Sequence, residues 1–166
     1  MTSVSQTLTA TDLHEVTTEK NGVLGRFAHT ADGRQYRYAK NGATALAAGA
    51  ELQASATTAL TSTATADVKP GEAIVPTAST PNAATAALYE DGILTVAGAK
   101  YLANGITTGG AISLLDKVDV AIPEDTATSL AVNGYAGVVV KSAGTSIGFA
   151  EVAVPAGAYF WARVAN

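Results

Sequence analysis

The feature that most constrains the fold of this chain is the density of its turn-forming dipeptides. Six Asn-Gly or Asp-Gly pairs occur in 166 residues: Asn21-Gly22, Asp32-Gly33, Asn41-Gly42, Asp91-Gly92, Asn104-Gly105 and Asn133-Gly134. Both residues of such a pair adopt positive φ at low cost, which type I′ hairpin turns require. The pairs therefore predict a chain built mainly of antiparallel β-strands that hairpins connect.

The segments between these pairs alternate between apolar and polar residues, as half-buried strands do. Tyr36 and Tyr38 fall on the same face of a predicted strand over residues 34–39. From residue 112 to residue 122 the even positions are apolar except Asp116, which indicates a bulge or the end of a strand. The alternation predicts that each of these segments turns one face towards a core.

Three later segments are also predicted as strands. Residues 137–141 contain three consecutive valines, which is typical of a strand buried on both faces. Residues 147–154 form a second candidate strand, which Pro155 ends. Residues 158–164 carry aromatic side chains on both faces. Core packing or a subunit contact explains these aromatics better than a stacking platform for sugars or single-stranded nucleic acid does. The candidate core or subunit-interface aromatics are Tyr36, Tyr38, Tyr159, Phe160 and Trp161.

Three stretches of small residues have weaker patterns. Residues 43–53 are rich in alanine, and a short helix and an irregular segment are equally compatible with them. The Ala/Thr tract at residues 54–68 predicts an exposed or edge strand, because threonine favours strands. Residues 76–87 predict a loop.

The first 22 residues differ from the rest of the chain. They are polar and rich in threonine, and we expect residues 1–22 to form a flexible arm before a β-rich domain at residues 23–166. Such an arm becomes ordered when it binds a neighbour. Its apolar residues are the candidate contacts with that neighbour: Val4, Leu8, Leu13 and Val16.

The composition provides little for catalysis or metal binding. The chain has no cysteine, which excludes disulfides, cysteine zinc sites and cysteine nucleophiles. Its two histidines, His14 and His29, form no ligand motif, and Asp116 and Asp119 would face opposite sides of a strand. A net charge of −4 without a basic patch argues against direct nucleic-acid binding, and the apolar runs are too short for a transmembrane helix. We expect no enzyme activity, catalytic residue, cofactor or metal.

Several motifs, in this order, resemble those of a known family. The runs are Asp32-Gly33-Arg34-Gln35-Tyr36-Arg37-Tyr38, Ala73-Ile74-Val75-Pro76-Thr77, Val132-Asn133-Gly134-Tyr135 and Pro155-Ala156-Gly157-Ala158-Tyr159-Phe160-Trp161. Together they resemble the capsid decoration, or cement, proteins of tailed phages, and the resemblance extends over most of residues 23–165. They are patterns of turns and core positions rather than catalytic signatures.

This resemblance implies a small antiparallel β-barrel or β-tulip-like domain, to which the sequence itself adds an extended N-terminal arm and little helix. It implies a homotrimer that binds the major capsid protein on the exterior of an icosahedral virion of HK97-fold subunits, after synthesis in the host cytoplasm. The four apolar residues of the arm are then the candidate contacts with the capsid. The alternatives are another virion component, such as a head fibre, tail or baseplate protein, and a carbohydrate-binding β module. The absence of fibre-like repeats counts against a fibre.

Overall fold

The computed structural model describes residues 6–164, and the chain divides into two compact units. Unit 1 combines residues 1–56 with residues 134–166, and unit 2 consists of residues 57–133. Strands account for 39% of the residues and helices for 6%, in two curled antiparallel sheets of which one is a half-barrel. The predicted mainly β, barrel-like fold with little helix is therefore confirmed. The predicted arm, residues 1–22, and the start of the predicted domain both fall in unit 1.

Unit 1 contains a seven-stranded sheet and one helical turn, α1 (Ala10–Leu13). Its strands are β1 (Gln6–Thr7), β2 (Phe27–His29), β3 (Gln35–Lys40), β4 (Glu51–Gln53), β11 (Val139–Val140), β12 (Ser146–Phe149) and β13 (Tyr159–Val164). The spatial order is β1-β2-β3-β13-β12-β4-β11, and only the β1–β2 pair is parallel. The sheet therefore joins the N-terminal and C-terminal parts of the sequence at its centre, between β3 and β13.

The register of β3 with β13 shows which of their side chains share a face. Six residues of each strand are in register, and Tyr38 lies opposite Trp161. Because side chains of a strand alternate between faces, one face carries the set that we call the aromatic face: Tyr36, Tyr38, Lys40, Tyr159, Trp161 and Arg163. The other face places Ala39, Phe160 and Ala162 in a core with Leu52 and Val138.

Unit 2 contains a six-stranded antiparallel sheet in the order β5-β10-β7-β8-β9-β6. Its strands are β5 (Leu60–Thr63), β6 (Ile74–Pro76), β7 (Ile93–Val96), β8 (Ala99–Ile106), β9 (Ala111–Leu114) and β10 (Ala127–Ala131). A helical turn, α2 (Ala83–Ala86), continues into a 3-10 turn, Ala87–Tyr89. The alternate residues of the sheet that face inwards, such as Leu94, Ile112 and Leu130, form the core of this unit.

The turns differ from the sequence prediction although the antiparallel strands are confirmed. Of the six dipeptides, only Asp32-Gly33 lies between two consecutive strands that pair antiparallel, and Asn104-Gly105 lies at a register shift inside β8. None of the six has positive φ at both residues, so the prediction of type I′ turns at these sites was wrong. The connection with the required geometry is Ala97-Gly98, where φ is +50° and +78° between β7 and β8.

The structure resolves all three predictions for segments of small residues. Residues 43–53 contain no helix. The last three of them, Glu51–Gln53, form β4 between β12 and β11. The Ala/Thr tract supplies β5 at the edge of the unit 2 sheet, as predicted. The predicted loop at residues 76–87 contains α2, because the side chain of Asn82 accepts a hydrogen bond from the Thr85 N–H and caps it.

Three predicted strands are shorter than expected. β9 ends at Leu114, and Asp116 follows in a bend, so the predicted break is confirmed. The valine run is not buried on both faces: Val138 is buried, but Val139 and Val140 form the exposed edge strand β11, which pairs only with β4. The strand predicted over residues 147–154 ends with β12 at residue 149.

Candidate binding surface of unit 1

The N-terminal part of unit 1 lies against the aromatic face of its own sheet. We call residues 6–17 the cover segment. At one end β1 pairs with β2, and the Leu8 N–H donates to the His29 carbonyl oxygen at 2.8 Å. At the other end Thr17 and Tyr159 exchange two backbone hydrogen bonds of 3.1 and 2.8 Å. Backbone pairing therefore fixes both ends of the cover segment.

The short helix α1 in the middle of the cover segment depends on a capping box. The Asp12 N–H donates to the Thr9 hydroxyl oxygen at 3.3 Å, and the Thr9 N–H donates to the Asp12 carboxylate at 3.0 Å. These bonds satisfy donors that a helix start leaves unpaired. The hydrogen bonds from Thr9 lower the pKa of the Asp12 carboxyl group.

The apolar residues of the predicted arm have separate positions. Leu8 and Leu13 are buried in a small cluster with Ala28 and Tyr36, and the half-buried Trp161 packs against that cluster. Val16 is half-buried against the larger core of unit 1. Val4 lies outside the described residues. A capsid contact through these side chains stays a prediction, and those of Leu8 and Leu13 are covered within this chain.

Four of the five predicted aromatics lie together. The Tyr38 ring stacks on Tyr159 with a centroid distance of 5.8 Å and an interplanar angle of 15°, and it lies 5.1 Å from Trp161 at 51°. Tyr36 is on the same face, whereas Phe160 is on the opposite one. The Asn21 N–H donates to the Tyr38 hydroxyl oxygen at 2.8 Å and so fixes the ring from its outer end.

A recess of about 90 Å³, which we call the aromatic recess, opens between these rings and the cover segment. Its aromatic wall and charged groups include Asp12, Glu15, Arg26, Tyr38, Tyr159 and Trp161. Tyr38 and Tyr159 are buried, so the half-buried Trp161 is the ring with most exposed surface. Sequence reasoning found these rings but not the recess, because Glu15 and Arg26 have no pattern that links them to residues 159–161.

A second set of polar groups lies around Glu151. The Tyr36 hydroxyl is 3.1 Å from both Glu151 carboxylate oxygens, to which it donates, and Arg163 Nη1 donates to Glu151 Oε1 at 3.3 Å. His14 Nε2 lies 3.7 Å from Glu151 Oε2. Burial of the Tyr36 side chain, followed by the nearby negative charge of Glu151, raises the pKa of the Tyr36 hydroxyl.

Glu151 therefore links the cover segment, through His14, to β3 and β13. A groove of about 620 Å³ adjoins this cluster and has the exposed Phe149 ring on its wall. Because the Glu151 carboxylate already interacts with three side chains, the arrangement serves to hold the segments together. Sequence reasoning missed it, since Glu151 is 115 residues from Tyr36 and has no local motif.

Among residues 6–164 no group of three or more His, Asp or Glu side chains could hold a metal ion. In the same described part of the chain, no helix is long and apolar enough to cross a membrane. Comparisons with protein-family models, with curated proteins and with solved structures found no match.

Proposed function

We propose that this chain is a structural virion protein that binds the outside of an HK97-fold capsid and stabilises the shell by bridging capsomers. The motifs that resemble phage decoration proteins support the proposal, and so does one surface of unit 2. We propose a homotrimer as the form that binds the major capsid protein. Many copies on one shell would give high avidity even if each contact were weak.

The surface that supports this function best is the outer face of the unit 2 sheet. Ile93 lies opposite Leu102 on neighbouring strands, and the Leu115 N–H donates to the Leu102 carbonyl oxygen at 2.9 Å. Ile93 is 44% exposed, Leu115 43% and Ile74, on the edge strand β6, 57%. Exposed apolar side chains that lie near one another on a sheet indicate a surface for a protein partner.

The charge distribution of the same sheet supports a protein partner further. Lys100 is the only charged residue in the six strands of unit 2, and the remaining outward positions are mostly Thr, Ser and Ala. A sheet face that only meets water usually carries charged and polar residues. Since few charges would lose their hydration, this face could pack against another protein at low desolvation cost.

Electron cryo-microscopy of the virions that carry this chain tests the proposal directly. We expect density for both units on the outside of the capsid, with the outer face of the unit 2 sheet against the capsid protein. Copies found only in a separated tail fraction, or in a fibre, would support the alternative virion roles. A capsid without any density for the chain would exclude the decoration function.

A sedimentation assay tests the surface itself. The double variant Ile93→Asn/Leu115→Asn should lose at least tenfold in binding to purified capsids, because both side chains lie on the proposed contact face. The matched control is Val23→Asn/Val140→Asn, which changes two exposed apolar residues of unit 1. Equal binding by both double variants would place the capsid contact elsewhere.

A further inference from the structure

We infer that Asn21-Gly22 is a modification site, where the Asn21 side chain loses ammonia spontaneously and becomes isoaspartate or aspartate. The inference goes beyond the proposed capsid role, since it concerns the loop of unit 1 that joins the cover segment to β2. Asparagine undergoes this deamidation most readily before glycine, because glycine has no side chain to hinder the attack. The chain has four Asn-Gly pairs, and their surroundings decide which of them reacts.

The reaction needs only these two residues and water. The Gly22 backbone nitrogen attacks the side-chain carbonyl carbon of Asn21, and the new C–N bond closes a five-membered succinimide ring. The side-chain amide nitrogen leaves as ammonia and takes with it the proton of the Gly22 N–H. Water then opens the ring. Cleavage of the bond to the side-chain carbonyl gives aspartate, and cleavage of the bond to the main-chain carbonyl gives isoaspartate.

The reacting groups of Asn21 and Gly22 are not held by other parts of the described chain. Asn21 is exposed, and the loop at residues 18–26 contains no helix or strand. Among residues 6–164, no hydrogen bond engages the Asn21 side-chain amide or the Gly22 N–H. The nitrogen and the carbonyl carbon can therefore approach each other without the loss of an existing hydrogen bond.

Asn41-Gly42 has the same two residues in the opposite environment. Asn41 is 2% exposed, and its side-chain amide donates to three backbone carbonyl oxygens at 2.9, 3.2 and 3.0 Å. The Gly42 N–H donates to the Val138 carbonyl oxygen at 2.9 Å. These hydrogen bonds must break before the ring can close, so the reaction of Asn41 requires local unfolding.

Each of the other two Asn-Gly pairs is held at one point. Asn104 lies within β8, where Gly105 is paired with Ser113 of β9. The Asn133 side-chain amide donates to the Asp91 carbonyl oxygen at 3.0 Å. We therefore expect both asparagines to react more slowly than Asn21.

The modification alters the loop beside a contact of Tyr38. The Asn21 N–H donates to the Tyr38 hydroxyl oxygen at 2.8 Å. In isoaspartate the main chain runs through the former side chain, so the loop becomes one atom longer immediately after this N–H. The product also carries a negative charge that asparagine lacks. We expect the hydrogen bond to Tyr38 to be lost or weakened in the modified protein.

Peptide mapping by mass spectrometry tests the inference on the full chain. The folded protein is incubated near neutral pH at physiological temperature, and samples are cleaved after lysine and arginine. This cleavage places the four Asn-Gly pairs on four different peptides. The mass of each peptide rises when its side-chain NH2 is replaced by OH, and chromatography separates isoaspartate from aspartate. Asn21 should be converted at least tenfold faster than Asn41, mainly to isoaspartate.

Three controls connect the rates to the structure. In concentrated urea the four pairs should react at rates within threefold of one another, because their environments are then alike. Gly22→Ala should slow the conversion of Asn21 at least fivefold. The added Cβ atom would lie no closer than 3.6 Å to its listed neighbours, which is an ordinary contact, so this variant should fold. Gly134→Ala, whose Cβ atom has no neighbour within 4 Å, should leave the Asn21 rate unchanged.

Conversion of Asn21 that is no faster than that of Asn41 in the folded protein would overturn the inference. The same would follow if urea left the ratio of the two rates unchanged, since the fold would then not select the site. An unchanged rate in Gly22→Ala would exclude the succinimide reaction. In the purified isoaspartate form, the NMR signals of the Tyr38 ring should shift, and unshifted signals would show that the contact with Tyr38 survives.

Discussion

Replacing Leu13 with alanine should release the cover segment from the aromatic face. Leu13 is 3% exposed and packs in a cluster of only four buried residues, with Trp161 at its side. Large-to-small changes of buried leucines cost about 2–5 kcal/mol. Because the cover segment is short and can move inwards to fill part of the gap, we expect the lower half of that range, about 2–3 kcal/mol.

The loss should be local, since few backbone pairs hold the cover segment. Amide hydrogen exchange is the suitable measurement, and the reporting amides are those of Leu8, Thr17 and Tyr159, which bond across the two ends of the segment. A change of about 2–3 kcal/mol corresponds to roughly 30- to 150-fold faster exchange at these amides. The amides of unit 2 should keep their rates.

The matched control for this prediction is Thr11→Ala. Thr11 is exposed in the same helical turn, so its replacement should change the free energy of opening by no more than about 0.5 kcal/mol. Exchange in Leu13→Ala that stays within threefold of the wild type would show that the leucine does not hold the segment. The packing described for Leu8, Leu13 and Tyr36 would then be wrong.

Three further predictions concern backbone geometry and pH. Gly110→Ala should lower the free energy of urea unfolding of unit 2 by about 2–4 kcal/mol. The φ angle of Gly110 is +88°, and an added Cβ atom would lie 2.3 Å from the Ser79 carbonyl oxygen and 2.4 Å from that of Thr77. Gly134→Ala is the control and should be nearly neutral, because its Cβ atom would have no atom within 4 Å. Burial raises the pKa of Tyr36. The contribution of the Tyr36 hydroxyl to the free energy of unfolding is therefore complete below the unfolded pKa of about 10 and is lost as the pH rises above that value. In Tyr36→Phe the free energy of unfolding should fall less steeply over this alkaline range. The pKa of Asp32 is lowered to about 2, chiefly by the Thr30 hydroxyl, so its contribution should disappear as pH falls from about 4 to 2, and Asp32→Asn should show a smaller loss in that interval.

The local features of the fold could be predicted from the sequence because they depend on period-2 alternation. Tyr36 and Tyr38 do share one face, and the strand through Ile112 does end before Asp116. The turn positions could not be predicted from dipeptides alone. Asn41, for example, is buried, and its amide donates to the carbonyl oxygens of Thr44, Val154 and Pro155 instead of forming a hairpin.

The candidate site could be predicted only in part. The aromatic residues of β13 stood out in the sequence, but their partners in the aromatic recess come from residues 12–26 and became evident only from the pairing of β3 with β13. Glu151 shows the same limit, since a single glutamate in a polar stretch has no pattern until Tyr36 and Arg163 converge on it. Contacts between distant residues depend on packing, which alternation does not encode.

The assembly of unit 1 from two separate stretches of sequence has a consequence for synthesis on the ribosome. Unit 2 is continuous and is complete at residue 133, whereas the centre of the unit 1 sheet needs β13, which ends at Val164. At about 5–20 residues per second, the 31 residues between these positions take roughly 2–6 s. During that interval Tyr36 and Tyr38 lack their partner strand, and β3 presents an unpaired edge to other chains. β3 therefore stays open to pairing with other chains until β13 inserts beside it.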